Sequence, residues 1–304
     1  MKPKREFFSA NQLSTGRKGD LELKILEAIQ NFDRTLGVGQ ELTMQSFKKQ
    51  LSRATAATAL NYLVSQGVAI EGARVLDLGA GMGKLSVEAA LRGAQPVAVE
   101  PGDGFGEIIR ERLASEKGGL PGAIVQAAGE QLPFEDGCFD LAISLQVLEH
   151  VTNPYQVLQE AFRVLKPGSY FYLTCENYLS FWEPHYQVAW LPLMPKPLGS
   201  FYLRIRGLSP EFLNTSITYT TLPGVRSMLK RCGFISMREQ RIKSIVESPS
   251  LLRSRWRRAI VIVMRRLISV KLLTRLALMF ALMIDSTTNL FTPGIRELLQ
   301  KPHA

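Results

Sequence analysis

The chain has 304 residues, of which 46% are hydrophobic and 21% charged, so it carries material for a sizeable core and is excluded from the disordered class. Its net charge of +10 is unevenly spread: between Glu247 and Asp285 there is no acid, against Arg253, Arg255, Arg257, Arg258, Arg265, Arg266, Lys271 and Arg275. Cys138, Cys175 and Cys232 show neither metal-ligand spacing nor a disulfide framework, so a reducing compartment and no bound metal are expected.

Residues 1–70 read as a polar tail followed by helices, one with apolar residues at Leu21, Leu23, Ile25, Leu26 and Ile29 in mixed helical spacing, the next from Met44 to Gln66 ending at Gly67. The tail lacks the apolar stretch of a secretory signal. From Arg74 to Asn177 short apolar runs alternate with amphipathic helices. Strands are expected at Val75–Leu78, Pro96–Val99, Ala123–Gln126, Phe139–Leu145 and Tyr170–Cys175, and helices at Lys84–Leu91, Gly104–Leu113 and Pro154–Leu165. This alternation predicts an α/β fold with a Rossmann-like, doubly wound, mostly parallel sheet. The core is expected over 71–246, interrupted at 178–218 by an insertion rich in proline and aromatic residues, and resuming with a helix at Leu222–Lys230 and a strand at Phe234–Gln240. A basic amphipathic helical segment, 247–304, follows.

The strongest local feature is Asp77-Leu78-Gly79-Ala80-Gly81-Met82-Gly83, between a strand and a helix. Glycines there allow a sharp turn and let a ligand lie against the main chain at the carboxyl end of the sheet. The spacing is G-x-G-x-G; a dinucleotide fingerprint needs its third glycine where Lys84 stands, so a nucleoside bearing an amino acid fits better than a pyrophosphate. Glu100 ends the second strand, 23 positions after Asp77, where a carboxylate accepts from ribose hydroxyls.

With these residues in view, the run from Val75 to Gly83 resembles motif I of class I S-adenosylmethionine-dependent methyltransferases, and Val97–Glu100 is similar to their motif II. Glu130–Asp140, Ser144–Val151 and Arg163–Ser169 continue the match in order, closest to the branch acting on quinones, sterols, sugars and other small molecules. The resemblance implies S-adenosylmethionine as cofactor. It implies that Asp77, Gly79, Ala80, Gly81 and Gly83 hold the methionine portion and Glu100 the ribose. Gly129 and Glu130 are then expected beside the adenine, and Leu145 and Gln146 along the sulfonium end. The chain departs from the family where an adenine-binding aspartate is common: that position is Ala128, for which a backbone carbonyl or Gln126 is the expected substitute.

Methyl transfer from a sulfonium is chiefly positioning, with a base needed when the acceptor is a hydroxyl. His185, in the insertion, is the favoured base, with His150, after the fourth strand, as the alternative. Trp182, Tyr186, Trp190, Phe201 and Tyr202 are expected either to line an apolar acceptor pocket or to pack the insertion onto the core, and Arg204 and Arg206 either to hold an anionic group or to lie solvated. No uncharged apolar run reaches the roughly 18 residues of a spanning helix. The stretch 253–284, basic on one side and aliphatic on the other, reads as a helix lying in a membrane interface or as a soluble cap. These features point to a small or lipid-linked acceptor for O- or C-methylation and a cytoplasmic location with peripheral membrane contact. A nucleic-acid methyltransferase is disfavoured, since Ser144-Leu145-Gln146-Val147 stands where the exocyclic-amine enzymes carry an Asn/Asp-Pro-Pro-aromatic motif. A non-catalytic partner subunit is the remaining alternative.

Overall fold

A computed structural model describes residues 16–248, 259–264, 269–276 and 293–303. In chain order the elements begin with α1 (Arg17–Leu36), α2 (Gln40–Leu51), α3 (Ala54–Ser65), β1 (Arg74–Leu78), α4 (Lys84–Leu91), β2 (Gln95–Val99), α5 (Phe105–Ser115) and β3 (Ala123–Val125). They continue with β4 (Phe139–Leu145), a 3₁₀ turn (Leu148–His150), α6 (Pro154–Val164), β5 (Leu165–Glu176), β6 (Trp182–Glu183), β7 (Val188–Ala189) and α7 (Lys196–Ile205). Last come α8 (Glu211–Ser216), α9 (Leu222–Cys232), β8 (Ile235–Ser236), α10 (Met237–Glu247) and β9 (Gly294–Gln300). Seven of the strands make a mostly parallel α/β sheet, and β6 and β7 form a separate hairpin. The Rossmann-like architecture expected from the alternation of strands and helices is present.

The chain divides into two compact units, one comprising the residues up to Ala128 with Lys196–Thr215, the other Gly129–Pro195 with the residues from Ser216 on. In the first unit β1, β2 and β3 are parallel, Leu76 opposite Val97 and Val99 opposite Val125. Most of their buried residues are apolar because helices cover both faces of a parallel sheet. Leu21, Ile25, Leu26 and Ile29 recur with helical period and bury one face of α1 with Phe47, Ile108 and Met82. Each such side chain contributes roughly 1.5–3 kcal/mol on full burial. Met82 belongs to the glycine-rich loop, so α1 anchors the loop that the sequence singles out. The single helix expected over Met44–Gln66 is two, because Ser52 leaves helical geometry and its hydroxyl accepts from the Ala54 amide, starting α3 afresh.

In the second unit β4 and β5 are parallel, and β9 runs antiparallel to β5, Leu173 opposite Glu297. Residues 294–300 were expected within the C-terminal helical segment; they are instead this strand. The strand expected over Phe234–Gln240 shrinks to β8, paired with β9, before α10 begins. Of the basic stretch 253–284, Arg253, Arg255, Arg257, Arg258, Arg265 and Arg266 lie outside the described residues. Among the described residues no helix is long and apolar enough to cross a membrane.

Candidate active site

In the first unit the turn after β1 is tied to the end of β2. The amides of Gly79 and Ala80 both donate to the Val99 carbonyl, at 2.9 and 3.0 Å. Gly79, Gly81 and Gly83 have φ of 73°, 52° and 79°, a region that side-chain-bearing residues enter at a cost. Gly83 is also a close approach, since a Cβ there would stand 2.9 Å from Ile109 Cγ1. Gly81 is different: nothing lies within 4 Å of where its Cβ would be, so the loop presents open space at that point. The Glu100 carboxylate sits against the same bend, accepting from the Gly81 amide at 2.8 Å and the Gly102 amide at 3.0 Å. Asp77 is buried beneath the loop, where its carboxylate accepts from the Ser86 hydroxyl on α4 at 2.6 Å. Burial pushes its pKa up to about 7, with Glu100 adding to the rise and Ser86 opposing it. Gln126, the expected stand-in for an adenine-binding acid, donates instead to Asp103 at 2.7 Å.

In the second unit Gly129 is buried and Glu130 accepts from the amides of Thr152 and Asn153 ahead of α6, at 3.1 and 3.3 Å. Leu145 ends β4. Gln146 follows with φ of 59°, a strained conformation for a residue with a side chain, held by its backbone amide donating to the Thr174 carbonyl at 2.8 Å and by its side-chain amide donating to Glu176.

The same unit brings His150 and His185 together, their ring centroids 5.1 Å apart and edge to face. His185 Nδ1 lies 2.8 Å from Glu183 Oε1, and the other oxygen of Glu183 accepts from the Tyr186 amide at 2.6 Å. His150 Nδ1 lies 3.1 Å from the Ser216 carbonyl. Glu149 is fully buried, and neither of its carboxylate oxygens has a hydrogen-bond partner. Burial pushes Glu149 up to about 8, with the negative charge of Glu176 adding to the rise. Loss of water around its ring and the neighbouring His185 push His150 down to about 4, although the residue keeps an exposed edge. For His185 burial acts downward, but the hydrogen bond and charge of Glu183, with the charges of Glu149 and Glu176, outweigh it and leave the ring raised.

Comparison with known proteins decides what the glycine-rich half of this geometry is for. Residues 76–173 match the methyltransferase domain family. This stretch is a methyltransferase domain, with S-adenosylmethionine as its cofactor. A Mycobacterium tuberculosis protein of uncharacterized function is 30% identical over 183 residues, 56% of this chain and 60% of that protein. An uncharacterized methyltransferase of a Mycobacterium species (strain JLS) is 39% identical over 97 residues, 32% of this chain and 36% of the relative. The chain thus spans less than two thirds of the length of these curated relatives. Among solved structures, Haemonchus contortus phosphoethanolamine N-methyltransferase 2, in complex with phosphomonomethylethanolamine and S-adenosylhomocysteine, is 16% identical with a TM-score of 0.49, covering 81% of this chain and 53% of that one.

The residues of the methyltransferase domain fit its cofactor. Gly81 leaves room where a Cβ would intrude, and Glu100 stands at that bend with a carboxylate that the loop amides orient. Tyr186 and Trp190 are buried in the second unit, Trp182 is 45% exposed, and Phe201 and Tyr202 belong to α7 in the first. Arg204 and Arg206 are exposed. Sequence reasoning singled out the two histidines but passed over Glu149, Glu176 and Glu183 as site residues. Only Glu149-His150 and the Glu-x-His pattern of Glu183 and His185 hinted at them, and such pairs are common on solvated surfaces.

Proposed function

We propose that the protein transfers a methyl group from S-adenosylmethionine to an oxygen or carbon of a small or lipid-linked acceptor. The observation that carries this reading is the Glu100 carboxylate fixed against the open bend at Gly81, which fits a ribose acceptor beside a main-chain cradle. The sulfonium of the bound cofactor supplies an already activated methyl group. The protein's part is to hold the acceptor in line and, for a hydroxyl, to receive its proton. His185 suits that role: Glu183 fixes the ring through Nδ1 and leaves Nε2 as the basic nitrogen. His150, held through Nδ1 by the Ser216 carbonyl, is the second candidate.

A lipid-linked acceptor draws support from α7. Leu198, Phe201 and Ile205 are exposed at helical spacing on one side, Phe201 by 60% and Ile205 by 68%, and Lys196, Arg204 and Arg206 accompany them. Apolar residues on one face with basic neighbours suit a helix resting in a lipid interface. The basic stretch 253–284 adds attraction to anionic lipid, about 1 kcal/mol per basic side chain near the surface. This fits a cytoplasmic protein in peripheral contact with a membrane.

The deciding experiment is incubation with methyl-labelled cofactor and an extract of lipids and small metabolites, followed by identification of the labelled product. Label in lipid or small-molecule fractions supports the reading; label confined to nucleic acid, or no label at all, overturns it. His185→Ala is expected to slow turnover far more than it weakens cofactor binding, and unchanged turnover removes it as the base.

A further inference from the structure

We propose that Glu149, His150 and His185 form a binding site for one divalent transition-metal cation, zinc being the best match. One ligand atom from each of the three side chains lies within 4.8 Å of the other two. A zinc ion bound at about 2.0–2.2 Å from nitrogen and oxygen ligands holds them roughly 3.4 Å apart. The cluster therefore needs only a modest closure of side chains. Two imidazoles and one carboxylate suit zinc, iron or manganese better than magnesium or calcium, which favour all-oxygen sets.

Two independent features point to a cation. Glu149 is fully buried with both oxygens lacking a hydrogen-bond partner, a condition rare in folded proteins and explained by an ion at that position. Each histidine is turned the way metal ligands are. Nδ1 of His185 faces the Glu183 carboxylate and Nδ1 of His150 a backbone carbonyl, so Nε2 is left as the basic nitrogen of both rings. His150 is the exposed member, so the cluster opens to solvent on its side and keeps a coordination position for an outside oxygen.

This inference rests on the acceptor-side reading of the cluster and changes its division of labour. With the cation seated, His185 is a ligand rather than a base. A cation held by Glu149, His150 and His185 would make an acceptor hydroxyl more acidic, so that its proton would pass to water before the oxygen attacks the methyl carbon.

The test uses the full chain without an affinity tag, stripped with a chelator and titrated with zinc chloride by calorimetry. One zinc ion per chain is expected, with affinity at least a hundredfold weaker in Glu149→Gln and in His185→Ala. Glu183→Gln removes the group that positions His185 and is expected to weaken binding tenfold to a hundredfold. Cobalt(II) in place of zinc should give a visible absorption band that His185→Ala abolishes. His150→Ala, at an exposed position, repeats the test if a buried substitution fails to fold by circular dichroism. No saturable binding, or undiminished affinity in folded variants, overturns the site. Labelled methyl transfer is assayed in parallel. Transfer that proceeds fully in chelator with no bound cation overturns the cation's part in the reaction and leaves the methyltransferase reading standing. Cation binding without transfer to any acceptor supports the site and counts against the acceptor reading.

Discussion

At the scale of single residues, two positions carry the cofactor reading and a third carries a pH dependence. Gly81→Val puts a branched side chain into the open bend, at a φ of 52°. The backbone penalty is about 1–2 kcal/mol, so the fold is expected to survive while S-adenosylmethionine binding is lost in calorimetry; undiminished affinity removes the loop from the site. Glu100→Ala deletes a charged hydrogen-bond acceptor, each such bond being worth roughly 1.5–3 kcal/mol. The Kd for the cofactor is expected to rise about 10–150-fold. Asp77, buried with its pKa pushed up to about 7, works the other way round from a salt-bridged carboxylate. A folded pKa above the unfolded value of 3.8 means that its contribution is fully present below pH 3.8 and is lost as pH rises through 7. Asp77→Asn keeps an oxygen for Ser86 and cannot ionise. Its stability relative to the parent is therefore expected to grow by a few kcal/mol between pH 4 and 8, as measured by urea unfolding; a difference that stays flat across that range refutes the assignment.

At the scale of elements, the caps set several boundaries. The Thr221 hydroxyl accepts from the Gly224 amide at 3.2 Å, Pro223 stands in the first turn of α9, and Gly233 closes it with φ of 95°. Thr221→Ala is expected to cost about 1 kcal/mol in denaturant unfolding. Such signals, with apolar periodicity, made α4, α6, α9 and the five strands β1 to β5 legible in the sequence. The two-residue shortfall of the expected Leu222–Lys230 helix against α9 is the error of not knowing where the last hydrogen bond falls. The cofactor loop was readable because a tight bend requires glycines in a row. The acid–histidine cluster was not, since Glu149 and His185 come from a 3₁₀ turn and from an insertion, and only tertiary folding sets them side by side. Strand β9 escaped for a similar reason. Its Glu297 looks like a surface acid, yet it is buried and neutralised by Arg226 at 2.6 Å.

At the scale of the molecule, β9 limits how the chain can be dissected. Ending the protein after Ser248 removes a strand that pairs with β5 from Tyr170 to Glu176 and with β8. That truncated form is expected to unfold or aggregate, seen as loss of a cooperative melting transition; a truncated form that melts like the parent would show β9 to be dispensable. The proposed membrane contact is better tested by replacing Arg253, Arg257, Lys271 and Arg275 with glutamine, which spares the sheet. Binding to vesicles containing phosphatidylserine is expected to fall, and equal sedimentation of both forms rejects the contact. The position of β9 also bears on how the protein is made. During translation β5 is complete at Glu176, but the strand that covers its edge begins only at Gly294. Throughout that interval a long apolar strand on the nascent chain shows bare amides and carbonyls to any neighbour. Ribosome-bound chains stalled before Gly294 should therefore recruit chaperones, and slowing elongation across that stretch should lower the soluble yield.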